Sequence, residues 1–95
     1  NDYTQALNCK DDGVTKNHDI YCNLAISYAH QEKSDLAMKN INEAILLAPD
    51  EGYYYFVRGS IYWVMNKDAN ACQDYSKAGE LGHYDAYKEI QEKCK

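Results

Sequence analysis

The residues best able to do chemistry in this chain are four cysteines, Cys9, Cys22, Cys72 and Cys94, and three histidines, His18, His30 and His83. Such residues serve as metal ligands, disulfide partners or nucleophile and base. For a metal, His18 and Cys22 stand one helical turn apart and could share an ion with Cys9. The sequence has no Cys-x-x-Cys pair, however, and neither a metal nor any other cofactor is expected. For catalysis, the histidines fall at separated places, and no serine or cysteine stands at a spacing that suggests a triad. His30 closes a helical stretch, where an imidazole stabilises the helix end. The acidic pairs Asp11-Asp12 and Asp50-Glu51 fall at turns and helix starts, where carboxylates cap and solvate. Glycine-rich phosphate loops are absent from the sequence. The chain reads as a non-enzyme.

Composition narrows the remaining classes. The 95 residues amount to one small domain, 45% hydrophobic, with ten tyrosines supplying much of that fraction. The formal net charge is -5, with lysines interspersed among acids, which argues against a nucleic-acid partner. No apolar run approaches the roughly 20 residues that span a bilayer, so no membrane insertion is expected. No secretory signal is visible, and Asn1 in place of an initiator Met points to a chain that is processed or cut from a longer one.

The elements that must position these residues emerge from an internal repeat. A shift of 34 residues lays Tyr21 on Tyr55, Ala25 on Gly59, Tyr28 on Tyr62, Ala37 on Ala71, Asn40 on Asp74, Ile41 on Tyr75, Ala44 on Ala78 and Leu47 on Leu81. Within each copy, aromatic and small residues recur at steps of three and four, the spacing of helices and not of strands. Each copy is therefore a helix pair. The expected helices are His18 to His30 with Asn17 as N-cap, Asp35 to Leu47 capped by Ser34, Glu51 to Met65, Asp68 to Glu80 ending near Gly82, and Tyr84 to Cys94. Pro49 stops the second helix, and Asp50 is expected to accept hydrogen bonds from the first N–H groups of the third.

The pattern Tyr21, Leu24, Ala25, Tyr28, Ala37, Ile41, Ala44, Pro49, with a second copy at Tyr55, Gly59, Tyr62, Ala71, Tyr75 and Ala78, resembles the tetratricopeptide repeat. The pieces around Cys72 are similar to bacterial members of that family. The resemblance implies an all-α fold, a right-handed α-solenoid of antiparallel helix hairpins with about six helices. Residues 1–17 would be a partial repeat helix and loop, 18–51 the first repeat, 52–85 the second, and 86–95 the rest of a C-terminal capping helix. It also implies that Ala25 and Gly59 lie against Ala37 and Ala71, where the helices of each pair cross. Arg58 takes a usual leucine position and is read as an ion pair with Asp74; His83 stands where a proline is usual. Repeats of this kind need neighbours or caps to bury their faces.

Along the third helix, Tyr55, Arg58, Gly59 and Tyr62 point to one side and Tyr53, Phe56, Ser60, Trp63 and Val64 to the other. The first stripe is expected to be core. By the resemblance, the second lines a concave groove that binds a peptide or protein segment, formed by Tyr53, Phe56, Ser60 and Trp63 with Asp19, Cys22, Ile26 and His30. The groove reads as aromatic and mildly acidic. The family's carboxylate clamp would need basic residues or asparagine where this chain has Cys22, Ile26, Val57, Tyr87 and Gln91, so chaperone tails are not expected as ligands. The alternative is a structural piece of a larger solenoid or multidomain protein, with these aromatics buried by its own chain.

Helix pairing brings Cys72 level with Cys94 across the turn near Gly82, and Cys9 level with Cys22. The cysteines are then either two disulfides, Cys9–Cys22 and Cys72–Cys94, or free and buried. Oxidation would place the chain outside the cytoplasm; free thiols would fit the cytoplasm.

Overall fold

The computed structural model describes residues 17–94, which form five helices: α1 (Asn17–His30), α2 (Ser34–Leu47), α3 (Gly52–Val64), α4 (Asp68–Glu80) and α5 (Asp85–Lys93). Every boundary lies within one residue of its expected place. The earlier partial helix, the turn at Asp11 to Gly13 and Cys9 lie outside the described residues. Helix α1 packs on α2 and α3 on α4 as hairpins, α2 meets α3 between them, and α5 lies on α4. The architecture is an all-α stack of hairpins.

Both hairpins turn in the same way. Glu32 and Asn66, 34 residues apart, take left-handed φ values of 62° and 64°. The next amide reaches back to a tyrosine carbonyl, Lys33 to Tyr28 and Lys67 to Tyr62, each at 2.9 Å. Gly82, with φ of 103°, repeats the device before α5, where His83 N–H bonds to the Ala78 carbonyl at 2.9 Å. A left-handed residue followed by this back-bond satisfies carbonyls that a helix end leaves open.

Capping differs from expectation. Lys33 and Glu51 occupy the N-cap positions of α2 and α3, and neither makes a side-chain cap bond. Ser34 is already inside α2. Asp50 sits one residue too early, because Glu51 N–H closes a turn onto the Ala48 carbonyl at 3.2 Å and α3 starts only at Gly52. Glycine is needed there: a Cβ would come within 2.9 Å of the Ala78 carbonyl oxygen.

The core of the first hairpin joins Cys22, Ala25, Ala37, Ile41, Ala44 and Ile45 to Tyr54, Val57 and Ile61 of α3. A second cluster holds Ala71, Tyr75, Ala78 and Ala86. Tyr55 packs against both. The side of α3 read as its core stripe is therefore only part of it. Tyr54, Val57 and Ile61, at i, i+3 and i+7, are buried against the first hairpin, whereas Tyr55 and Tyr62 remain half-exposed.

The left-handed positions give a direct stability test. Glutamate in that conformation costs about 1 kcal/mol, which glycine relieves. Glu32→Gly is expected to raise the urea midpoint, and Asn66→Ala to lower stability by about 1 kcal/mol at the equivalent turn.

Candidate partner-binding groove

The first helices of the two hairpins, α1 and α3, are fastened near their N-terminal ends. Tyr54, fully buried, donates its hydroxyl proton to Asp19 Oδ1 at 2.6 Å. With that proton committed, the contact between Tyr54 Oη and His18 Nδ1, also 2.6 Å, requires the imidazole to donate and hence to carry its proton on Nδ1. Burial and the Asp19 carboxylate push the Tyr54 phenol well above its ordinary range.

Further along the two helices lies a cavity of about 250 Å³. Helix α1 contributes Ile26, Ala29 and His30, and Ser34 opens α2 at its edge. Helix α3 contributes Tyr53, Phe56, Val57, Ser60, Ile61 and Val64. Val64 is 68% exposed at the rim. Ser60 donates to the Phe56 carbonyl at 3.1 Å, so the Tyr75 hydroxyl, 3.3 Å away, is the donor in its contact with Ser60 Oγ. Phe56 and Tyr53 stack at 6.3 Å, and the His83 ring lies 4.7 Å from Phe56 and 5.3 Å from Tyr53. The histidine in the usual proline position thus braces the groove's aromatic wall.

Of the eight expected groove residues, Ile26, His30, Tyr53, Phe56 and Ser60 come together here. Three do not. Asp19 and Cys22 are 6% and 0% exposed, because α1 turns them into the seam with α3, where Tyr54 and the core hold them. Trp63 lies roughly a quarter turn off the groove's midline and packs instead on the second cluster, under the Lys93 ammonium at 5.4 Å. The acidic character expected of the groove goes with Asp19: no carboxylate is among the lining side chains, whose ionisable members are His30 and Tyr53. Ala29, Ser34, Val57, Ile61 and Val64 were missed as lining residues. The i, i+3, i+7 spacing of Tyr54, Val57 and Ile61 was the available signal, obscured by dividing α3 into two opposite stripes.

Arg58 spans three helices. Its Nε and Nη2 donate to the two Asp74 oxygens at 2.8 and 3.0 Å, and Nη1 donates to Asn42 Oδ1 of α2 at 2.9 Å. The guanidinium also lies over the Tyr55 and Tyr62 rings. The Asp74 bond raises the Arg58 pKa, so the charge is permanent. Cys72 and Cys94 form a disulfide with Cα atoms 5.8 Å apart, joining α4 to the end of α5. Cys22 is also disulfide-bonded; its expected partner, Cys9, is outside the described residues. Among the described residues, no cluster of three or more metal-ligating side chains occurs.

Stacked helical hairpins whose first helices share one open face define a helical-repeat protein. Residues 18–51 match the model of the tetratricopeptide repeat family. Such repeats are in general protein–protein interaction modules. No curated protein and no solved structure matches the chain.

Two outcomes follow from these contacts. Tyr53, Tyr54 and Tyr75 all have phenol pKa values raised by burial. The neutral phenols therefore stabilise the fold fully below their unfolded value of about 10, and that stability is lost as pH rises beyond it. Urea midpoints measured from pH 8 to 11 are expected to fall above pH 10, less steeply in Tyr54→Phe. Separately, Asp74→Ala is expected to cost about 3 kcal/mol by leaving a half-buried guanidinium without its carboxylate. In thermal melts, the double change Arg58→Leu with Asp74→Leu is expected to recover most of that loss.

Proposed function

We propose that the chain is a non-catalytic binding module that receives a protein or peptide segment in the groove between α1 and α3. The observation that carries this reading is an open, apolar cavity built by first helices of both hairpins, with Val64 exposed at its rim. Exposed apolar surface of this kind on a small domain usually marks a contact. The missing carboxylate clamp at Cys22, Ile26, Val57, Tyr87 and Gln91 disfavours ligands recognised by a terminal carboxylate. With no carboxylate in the lining, a ligand is selected through apolar or aromatic side chains. The net charge of -5 acts at longer range and favours segments carrying some positive charge. The oxidised Cys72–Cys94 pair supports an oxidising, extracytoplasmic setting.

The competing reading, in which the chain's own aromatics are sealed, is favoured at one position: Trp63, which α5 covers. Val64→Glu separates the two. Val64 is exposed, so the substitution places a charge at the groove mouth without disturbing the core. Peptides selected from an array by the wild-type chain are expected to bind Val64→Glu at least roughly tenfold more weakly, a loss of about 1.4 kcal/mol, with the melting temperature unchanged. Equal binding by the two proteins, or an array on which no peptide binds, would count against the groove.

A further inference from the structure

We propose that α5 is a cap held shut by the Cys72–Cys94 disulfide and released by reduction, so that the redox state decides whether the C-terminal seam of the stack is covered. The inference does not depend on the groove reading.

Helix α5 has nine residues, too few to persist as an isolated helix in water. Ala86 is its one fully buried side chain, and Ile90 is half-buried. Tyr87 lies against Gly79, so closely that a Cβ there would meet its ring at 2.7 Å, yet Tyr87 itself is 46% exposed. The Lys93–Glu89 ion pair is internal to the helix, and the Lys93 ammonium reaches the face of the half-buried Trp63 ring, at 5.4 Å. Beyond this light packing, α5 is held by one bond at each end. At the start, the Gly82 turn is anchored by His83 N–H on the Ala78 carbonyl. At the finish, Cys94 is joined covalently to Cys72. With the second removed, Tyr84 onward hangs from the Gly82 hinge, and the surface beneath α5, where Tyr87 covers Gly79 and Lys93 covers Trp63, opens to solvent.

The bond is placed to be reached. Cys72 and Cys94 are both only half-buried, whereas Cys22 is fully buried. A thiolate of an external dithiol attacks one sulfur, forming a mixed disulfide and expelling the other cysteine as a thiolate. The dithiol's second sulfur then displaces the remaining cysteine. Cys72 and Cys94 gain two electrons and two protons as thiols, and the dithiol is oxidised to its disulfide. His83 stays on the Ala78 carbonyl throughout, so the aromatic wall of the groove survives while the seam opens. A cap of this kind responds when the chain passes between oxidising and reducing surroundings.

Hydrogen exchange read by mass spectrometry tests this on the full chain. The double variant Cys72→Ser with Cys94→Ser removes the bond and leaves that of Cys22 intact. Amides 86–94 are expected to exchange on the order of a hundredfold faster than in the oxidised wild type, while residues 17–80 keep their protection. Wild type titrated with dithiothreitol is expected to show the same change, with alkylation marking Cys72 and Cys94 before Cys22. Three results would overturn the proposal: unchanged protection of α5 in the double variant, equal loss of protection in α1 to α4, or Cys22 alkylated first.

Discussion

The distance at which the two helices of a hairpin cross sets everything built on it. In the second hairpin the crossing is at Gly59, where a Cβ would stand 3.0 Å from the Tyr75 ring and 3.2 Å from the Ala71 carbonyl oxygen. In the first, Ala25 and Ala37 fill the equivalent places and both are fully buried. Small residues let the backbones approach, so the large residues around them must interlock and not collide. Tyr75 illustrates the effect: its ring lies against Gly59, and its hydroxyl reaches Ser60 one residue further along α3. Once this contact is fixed, the rotation of α3 is fixed. Tyr54, Val57 and Ile61 then face the first hairpin, and the side carrying Tyr53, Ser60 and Val64 is left over.

Arg58 stands at the edge of the same crossing, where the resemblance implies a leucine. A leucine would contribute burial alone. The arginine instead ties α3 to α4 through Asp74 and to α2 through Asn42, with its planar face on two tyrosines. Replacing burial by a hydrogen-bonded ion pair contributes little net stability, since desolvation offsets most of the attraction. Its geometry is more exacting than apolar contact. A bidentate fork accepts one orientation of its carboxylate, so the pair fixes register between helices that apolar side chains alone would leave free to slide.

Much of this was legible because repetition amplifies weak signals. One Tyr-x-x-x-Ala spacing says little, but eight matched positions at a shift of 34 place five helices to within a residue. The match of Glu32 to Asn66 at the turns belongs to the same register, although nothing in a glutamate announces a left-handed backbone. What escaped were properties of neighbours. A helical wheel for α3 divides its surface into two, whereas a helix inside a stack touches its own partner, the preceding hairpin and the open face. The Tyr54, Val57 and Ile61 stripe fell between the two stripes for that reason. Asp19 and Trp63 were misplaced by the same error, since each lies where a third element covers the helix. The capping aspartate failed more locally: Pro49-Asp50 made the turn, and the helix began two residues later, at the glycine that α4 requires.

The polarity of the groove follows from the same packing. Its hydroxyl at Ser60 gives its proton to the Phe56 carbonyl and accepts from Tyr75, both within the chain. The helical walls have their backbone groups bonded along their own axes. On the proposed binding role, a segment entering the groove would find few polar groups with bonds to offer, and would have to satisfy its own backbone or keep it in water. Discrimination between ligands in that proposed role would rest on how well an apolar side chain fills the space beside Phe56 and Ile26. One added methylene is felt in such a space, while a buried polar group on the ligand is penalised.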